Sequence, residues 1–233
     1  VQFIAQRAVK KPTNILILNE FVAMIDEMKH YTWYTSDHHF GHFNIIEYCN
    51  RPYANVQDMN DDLVARFNSV VKPDDSVMIL GDLCMGKVTE SLEYVKLLNG
   101  HKTLLVGNHD KPFGTTGDKQ KRCEQMYFDA GIDEILYGSV TTSVGKHLVT
   151  LCHFPRSGDS KYDDRYAEYR PTRGGVLLHG HTHGKWRVKD GQIDVGVDSW
   201  SGTPVGEETL ANLITAGNLD LNRLSWTSYD EYQ

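Results

Sequence analysis

Five short apolar runs in this chain each end in a cluster of Asp, Asn or His side chains, and no other feature of the sequence restricts the fold as strongly. Tyr34-Thr35-Ser36 runs into Asp37-His38-His39, Met78-Ile79-Leu80 into Gly81-Asp82, and Leu105-Val106 into Gly107-Asn108-His109-Asp110. Leu151-Cys152 runs into His153, and Leu177-Leu178 into His179-Gly180-His181-Thr182-His183. Apolar runs of this length read as buried strands. In open α/β sheets ligands bind beyond the carboxyl ends of the strands, so five such ends converge on one site. His38, His39, His42, His109, His153, His179, His181 and His183, eight of the eleven histidines, lie in or beside the clusters. Histidines scattered over a surface would not sort in this way.

The strand candidates are Tyr31 to Ser36, Ser76 to Leu80, Thr103 to Val106, His147 to Cys152, Gly175 to Leu178 and Ile193 to Val197. Between the first two, Met59, Leu63, Val64, Phe67, Val70 and Val71 recur at three-to-four spacing, as do Leu92, Val95, Leu97 and Leu98 before Gly100, a helix-stop residue. Strands alternating with amphipathic helices predict a layered α/β fold, with antiparallel pairing where strands follow closely after residue 135. Residues 31–233 read as one domain, and a hydrophobic content of 40% is ample for its core. Residues 1–30 stand apart as an N-terminal extension of unassigned role, in which Lys10-Lys11-Pro12 leads into Ile15-Leu16-Ile17-Leu18.

A formal net charge of −7 provides no general field toward nucleic acid polymers or anionic membranes, so any phosphate recognition must be local. No window approaches the roughly eighteen apolar residues of a membrane span, and no signal peptide is expected. Cys49, Cys84, Cys123 and Cys152 form no CxxC pair; they read as reduced, small buried hydrophobes in a cytoplasmic protein.

Each cluster alone has an ordinary reading. Asp-x-His is a solvated turn; Asn108-His109-Asp110 is a turn or the His-Asp pair of a helical hydrolase; His181-x-His183 is a polar strand edge. Their common placement at strand ends outweighs those readings, and Gly81, Gly107, Gly180 and Gly184 supply permissive backbone beside them. Asp37-x-His39, Gly81-Asp82, Gly107-Asn108-His109-Asp110, His153 and Gly180-His181-x-His183 together resemble the five ordered motifs of the calcineurin-like metallophosphoesterase superfamily, over Tyr31 to about Pro204. The strings Thr35 to His42, Asn50-Arg51-Pro52 and Val195-Gly196-Val197-Asp198 resemble small stand-alone members found in bacteria and their phages.

The resemblance implies an αββα-type sandwich of mixed sheets flanked by helices. It implies that Asp37, His39 and His183 hold one divalent metal, that Asn108, His153 and His181 hold another, that Asp82 bridges both, and that His109 is the catalytic proton donor. A carboxylate bridge suits two cations ~3.5–4 Å apart that clamp the attacking and leaving oxygens of phosphoryl transfer. Nitrogen and oxygen donors without thiolate suit Mn²⁺, Fe or Zn²⁺ better than Mg²⁺, and Mn²⁺ is favoured by family habit. The implied activity is a phosphodiesterase acting on small diesters, 2′,3′-cyclic nucleotides among them, by in-line attack of metal-bound hydroxide. A phosphomonoesterase or protein phosphatase is the alternative, with a non-catalytic metal-binding scaffold behind it. The expected partner is a small phosphoester, with neither a long nucleic acid nor a membrane; a homo-oligomer remains open.

Several residues keep two readings. Asp110 either orients His109 or caps the next segment; Asp194 and Asp198 either support ligand histidines or serve turns. Period-two alternation turns His38 toward packing. His42 either contacts the phosphate or supports His39. Arg51 either grips a phosphoryl oxygen bidentately or is an ordinary surface residue before Pro52. The segment Arg156 to Gly174 carries Arg156, Lys161, Arg165, Arg170 and Arg173 with Tyr162, Tyr166 and Tyr169. It offers cations for phosphate and rings for stacking, with Arg156 and Tyr162 as candidate substrate contacts, or else its tyrosines fold onto the core.

Overall fold

The computed structural model describes residues 28–157, 165–172 and 174–227; most of the N-terminal extension, Lys161, Tyr162 and Arg173 lie outside the described residues. In chain order the strands are β1 (Trp33–Thr35), β2 (Ser76–Ile79), β3 (His101–Leu105), β4 (Glu134–Leu136), β5 (Ser139–Val144), β6 (His147–Cys152), β7 (Val176–His179), β8 (Val188–Lys189), β9 (Gln192–Asp194) and β10 (Val205–Gly206). One sheet has the order β10-β1-β2-β3-β4, the other β5-β6-β7-β9-β8. In the first, β1 to β4 are parallel and β10 antiparallel; in the second, β6, β7 and β9 are parallel, with β5 and β8 antiparallel. The pairing of β5 with β6 through Gly145 is the antiparallel component expected after residue 135.

Period-two alternation sorts the first sheet between two cores. Val77, Ile79 and Leu104 face helices α2 (Val56–Val70) and α3 (Val88–Val95), whose Met59, Leu63, Phe67, Leu92 and Val95 are buried there. Tyr34, Met78, Leu80 and Leu105 face the other way, onto Val149, Leu151, Leu178 and Ile193 of the second sheet. The two sheets therefore form a sandwich flanked by helices, the layered α/β architecture expected. Helix α2 begins where the Asn55 side chain accepts from the Asp58 N–H at 2.9 Å, satisfying an otherwise orphaned donor. No helix of the described residues is long and apolar enough to cross a membrane. Cys49, Cys84 and Cys152 are buried and Cys123 half-buried, all as free thiols.

Register brings the strand ends level. Thr35 pairs with Ile79 and Ile79 with Leu104 in the first sheet; Leu151 pairs with Leu178 in the second. The sheets are then joined at their carboxyl ends, where Ser36 bridges Gly196 and the Val197 N–H donates to the Ser36 carbonyl at 3.1 Å. That joint sets the ends of β1 to β3 against those of β6 and β7.

Candidate metal centre

Beyond the strand ends the backbone adopts a conformation that L residues avoid. Asp37 (φ 58°), His39 (φ 53°), Asp82 (φ 53°), His181 (φ 70°) and His183 (φ 49°) all lie in the left-handed region. Such residues cost on the order of 1–3 kcal/mol each and cluster where function requires a side chain to be aimed. The turns are held by backbone bonds, Asp37 N–H to the Gly81 carbonyl at 3.0 Å and His39 N–H to the Asp82 carbonyl at 3.1 Å.

Gly81 and Gly184 have positive φ as anticipated, whereas Gly107 and Gly180 do not; these two are glycines because a Cβ would collide with Asp82 and with Ser36 and Asp37 respectively. Gly81 combines φ 84° with a Cβ position only 2.6 Å from the Gly107 backbone. Gly81→Ala therefore adds left-handed strain of about 1–2 kcal/mol to overpacking of about 1–3 kcal/mol. The melting temperature should fall by roughly 5–15 °C, read from a thermal denaturation curve; an unchanged melt would refute the packing argument.

Two groups of ligand atoms result. Asp37, His39 and His183 bring theirs within 4.8 Å of one another, and so do Asp82, His153 and His181. Asn108 joins the second group through Oδ1, 3.0 Å from His153 Nε2. All seven residues expected as metal ligands thus meet at one place. Each carboxylate is anchored by one oxygen. Asp37 Oδ2 accepts from Ser36 Oγ at 2.6 Å and from the His181 N–H at 2.9 Å, while Asp82 Oδ1 accepts from the His109 N–H at 2.8 Å. The other oxygens, Asp37 Oδ1 and Asp82 Oδ2, and both ring nitrogens of His39 are buried without a hydrogen-bond partner among the described residues. Leaving so many buried polar atoms unsatisfied is costly, and divalent cations are the group that this donor set fits. Asp82 Oδ2 lies 3.5 Å from His39 Nε2 and 3.5 Å from His153 Nε2, between the two groups.

The electrostatics follow from burying carboxylates and imidazoles together. Burial pushes Asp37 up to about 6 against the pull of His183 and His153. Burial acts the same way on Asp82, but His153 and His39 outweigh it and hold that carboxyl far below its ordinary range. His153 is raised to about 9, because attraction to Asp82 overcomes desolvation, whereas desolvation keeps His39 well below an ordinary imidazole. His153 Nδ1 is 2.7 Å from the Leu80 carbonyl and so must donate to it, which turns Nε2 toward Asn108 and Asp82.

The surrounding residues divide between expectation and correction. Asp198 does support His183, a candidate ligand, its Oδ2 lying 3.1 Å from His183 Nδ1. Asp194 serves the turns instead, accepting from the Thr182 hydroxyl and from the N–H groups of Gly184 and Gly196. Asp110 neither orients the His109 ring nor caps the next segment: its oxygens accept from the N–H groups of Asp82, Leu83 and Gly107 at 2.8–3.0 Å, tying the end of β2 to that of β3. Burial and the Asp82 charge push this carboxyl up to about 7. Arg51, expected to be a phosphate contact or a surface residue, is neither. It is 3% exposed, and its guanidinium is committed to Asp198 and to the carbonyls of Asp37 and His38.

Arg156 donates to the carbonyl of Gly175, at the opposite end of β7 from His181 and His183. There it lines a cavity of about 560 Å³ with Val176, Ile193 and Leu213, apart from the candidate ligands. Tyr162 lies outside the described residues. Tyr166 packs its ring 4.9 Å from Phe154 and 5.7 Å from His181, so it folds onto the core beside a ligand. His38 packs between Phe40 and Phe67, as alternation predicts. His42 is half-buried with its ring 5.5 Å from that of His39. His109 is exposed, belongs to neither ligand group, and has its ring 5.3 Å from that of His39. Two participants escaped sequence reasoning. Ser36, hidden in an apolar run, anchors Asp37, and Cys49, at the end of helix α1 (Ile45–Cys49), groups with His183 and Asp198.

The gene 66 protein of Mycobacterium phage L5 is 34% identical to this chain over 199 residues, covering 78% of the chain and 93% of the phage protein. The chain belongs to the gene 66 protein family. An uncharacterised protein of Methanocaldococcus jannaschii is 32% identical over 193 residues, covering 79% of this chain and 91% of its own length, so the family's similarity extends beyond phages. No protein-family model matches the sequence. Among solved structures, a protein of unknown function from Aquifex aeolicus superposes with a TM-score of 0.59 at 22% identity, covering 78% of this chain and 98% of that one, which supports the fold.

Proposed function

We propose that this gene 66 family member is a two-metal phosphoesterase of the calcineurin-like metallophosphoesterase superfamily, acting on small phosphodiesters. The observation that carries the reading is Asp82 Oδ2, a buried and otherwise unpartnered carboxylate oxygen set 3.5 Å from an imidazole of each ligand group. Two divalent cations, Mn²⁺ favoured, would be held by Asp37, His39 and His183 on one side and Asn108, His153 and His181 on the other, with Asp82 shared. Bound there, they would supply Lewis acidity and lower the pKa of a bound water toward neutrality.

The chain's own residues supply position and a proton. Ser36 and the His181 N–H fix Asp37; the His109 N–H fixes Asp82; the Leu80 carbonyl fixes the tautomer of His153. His109, whose ring lies outside both ligand groups and 5.3 Å from that of His39, would give a ring proton to the leaving oxygen. An alkoxide is a poor leaving group, so a diester depends on that donor. Charge favours the same substrate. Arg51 and Arg156, two of the candidate cations for a dianion's extra charge, are engaged with Asp198 and the Gly175 carbonyl, and the chain's net charge is −7.

Matched esters decide the preference: with Mn²⁺ present, kcat/KM for bis(p-nitrophenyl) phosphate should exceed that for p-nitrophenyl phosphate by about tenfold or more, a difference of roughly 1.4 kcal/mol. A 2′,3′-cyclic nucleotide should be turned over as well. A monoester favoured by a similar factor would sink the diester reading.

A further inference from the structure

The Arg51 side chain is buried, with its donors divided among partners that lead to one half of the centre. Nε and Nη2 donate to the two oxygens of Asp198 at 2.8 Å each. Nη2 also donates to the Asp37 carbonyl at 2.7 Å, and Nη1 to the His38 carbonyl at 2.8 Å. Those carbonyls belong to the turn that holds Asp37 and His39 in the left-handed region. Asp198 in turn faces His183 Nδ1, leaving the other ring nitrogen of His183 for the centre. One guanidinium therefore touches the backbone of Asp37, the peptide entering His39, and the carboxylate that orients His183. These three are the first ligand group.

The second group is supported by other means: Asp82 by the His109 N–H, His153 by the Leu80 carbonyl, and His181 by the rings of Phe154 and Tyr166. A buried ion pair contributes little net stability, because desolvation offsets its attraction, but a planar bidentate fork fixes geometry well. We infer that Arg51, acting through Asp198 and the Asp37-His38 carbonyls, is a positioning residue for the Asp37, His39 and His183 metal site alone. Its loss should weaken that site and spare the other. The inference rests on the two-metal reading above and adds which half of the centre Arg51 governs.

The test is calorimetric titration of the metal-stripped full chain with Mn²⁺, read as stoichiometry and affinity rather than turnover. Wild type should take up two ions. Asp198→Asn and Arg51→Lys should each keep one ion at wild-type affinity and bind the other about 10–100-fold more weakly, the range for loss of a partner that orients a metal ligand. Arg51→Met leaves Asp198 buried without a counter-charge and is prone to unfold. The two conservative variants therefore carry the test, with melting of each stripped protein showing that it is folded.

Combination with ligand variants identifies the site. Asp198→Asn added to His39→Ala should weaken binding no further, whereas added to His181→Ala it should weaken the remaining ion by the same 10–100-fold. Two ions at wild-type affinity in both conservative variants, or equal weakening at both sites, would overturn the inference. A wild-type protein that takes up no Mn²⁺ would overturn the two-metal reading itself, a distinct result.

Discussion

Asp82→Ala should yield a folded protein that retains neither metal tightly and hydrolyses diesters on the order of 10⁴-fold more slowly than wild type, as expected when groups that act as a unit lose a shared member. The size of the effect follows from position. Asp82 Oδ2 is 3.5 Å from His39 Nε2 in one ligand group and 3.5 Å from His153 Nε2 in the other, so one substitution removes a donor from both. It also removes the negative charge that holds His153 raised to about 9. Without it, two groups of buried imidazoles face one another with less carboxylate between them, a setting hostile to two divalent cations. Asp82→Asn separates the contributions, since the amide oxygen can still accept from the His109 N–H while the charge is gone. It should bind metal measurably but weakly. Elemental analysis after dialysis, paired with kcat/KM, checks both variants; Asp82→Ala protein that carries two ions and keeps near-normal turnover would dismantle the bridging role.

Much of this candidate centre is legible in the sequence, because Asp, Asn and His residues at strand ends are constrained by chemistry and by strand direction together. An apolar run followed by Asp, Asn or His reports a buried strand and a polar end at once, and five such runs in parallel or mixed sheets can meet only at the carboxyl edge. The helices at Val56–Val70 and Val88–Val95 were legible through three-to-four spacing, although Leu97, part of the expected pattern, is 57% exposed beyond the helix end. Helix α4 (Gly117–Asp129) was not, since Tyr127 is its buried side chain and its other apolar residues, Cys123, Met126 and Phe128, are half-buried or exposed among polar ones. Strands β4, β5, β8 and β10 carried too few or too polar residues to register. The supporting residues were the least legible. A buried Arg51 gripping Asp198 lies 147 positions away in sequence, and nothing local distinguishes it from a surface arginine before a proline. Asp110 stands out by its place beside His109, yet its partners are the N–H groups of Asp82, Leu83 and Gly107 and the Tyr127 hydroxyl, which only the folded chain assembles.

His109→Ala is expected to behave in the opposite manner to the Asp82 variant, keeping both metals while losing roughly 10²–10⁴-fold in turnover of diesters with an alkyl leaving group, the range for a missing general acid. The separation rests on where each atom of His109 goes. Its N–H donates to Asp82 Oδ1 at 2.8 Å, and alanine retains that bond, so the anchor of the bridging carboxylate survives. The imidazole is exposed, sits 5.3 Å from the His39 ring, and belongs to neither ligand group. Deleting it therefore takes away a proton source without opening either metal site. If the ring protonates the leaving oxygen, the penalty must scale with how badly that oxygen needs a proton. Diesters leaving as p-nitrophenolate should lose little, whereas those leaving as an alkyl alkoxide should lose the full factor, steepening the dependence of log kcat on leaving-group pKa. Added imidazole should restore part of the loss for the alkyl esters, since the vacated position opens to solvent. A loss of the same size for both leaving groups, in protein shown to carry two ions, would move His109 from proton donor to substrate positioning; undiminished turnover of the alkyl ester would remove it from the reaction.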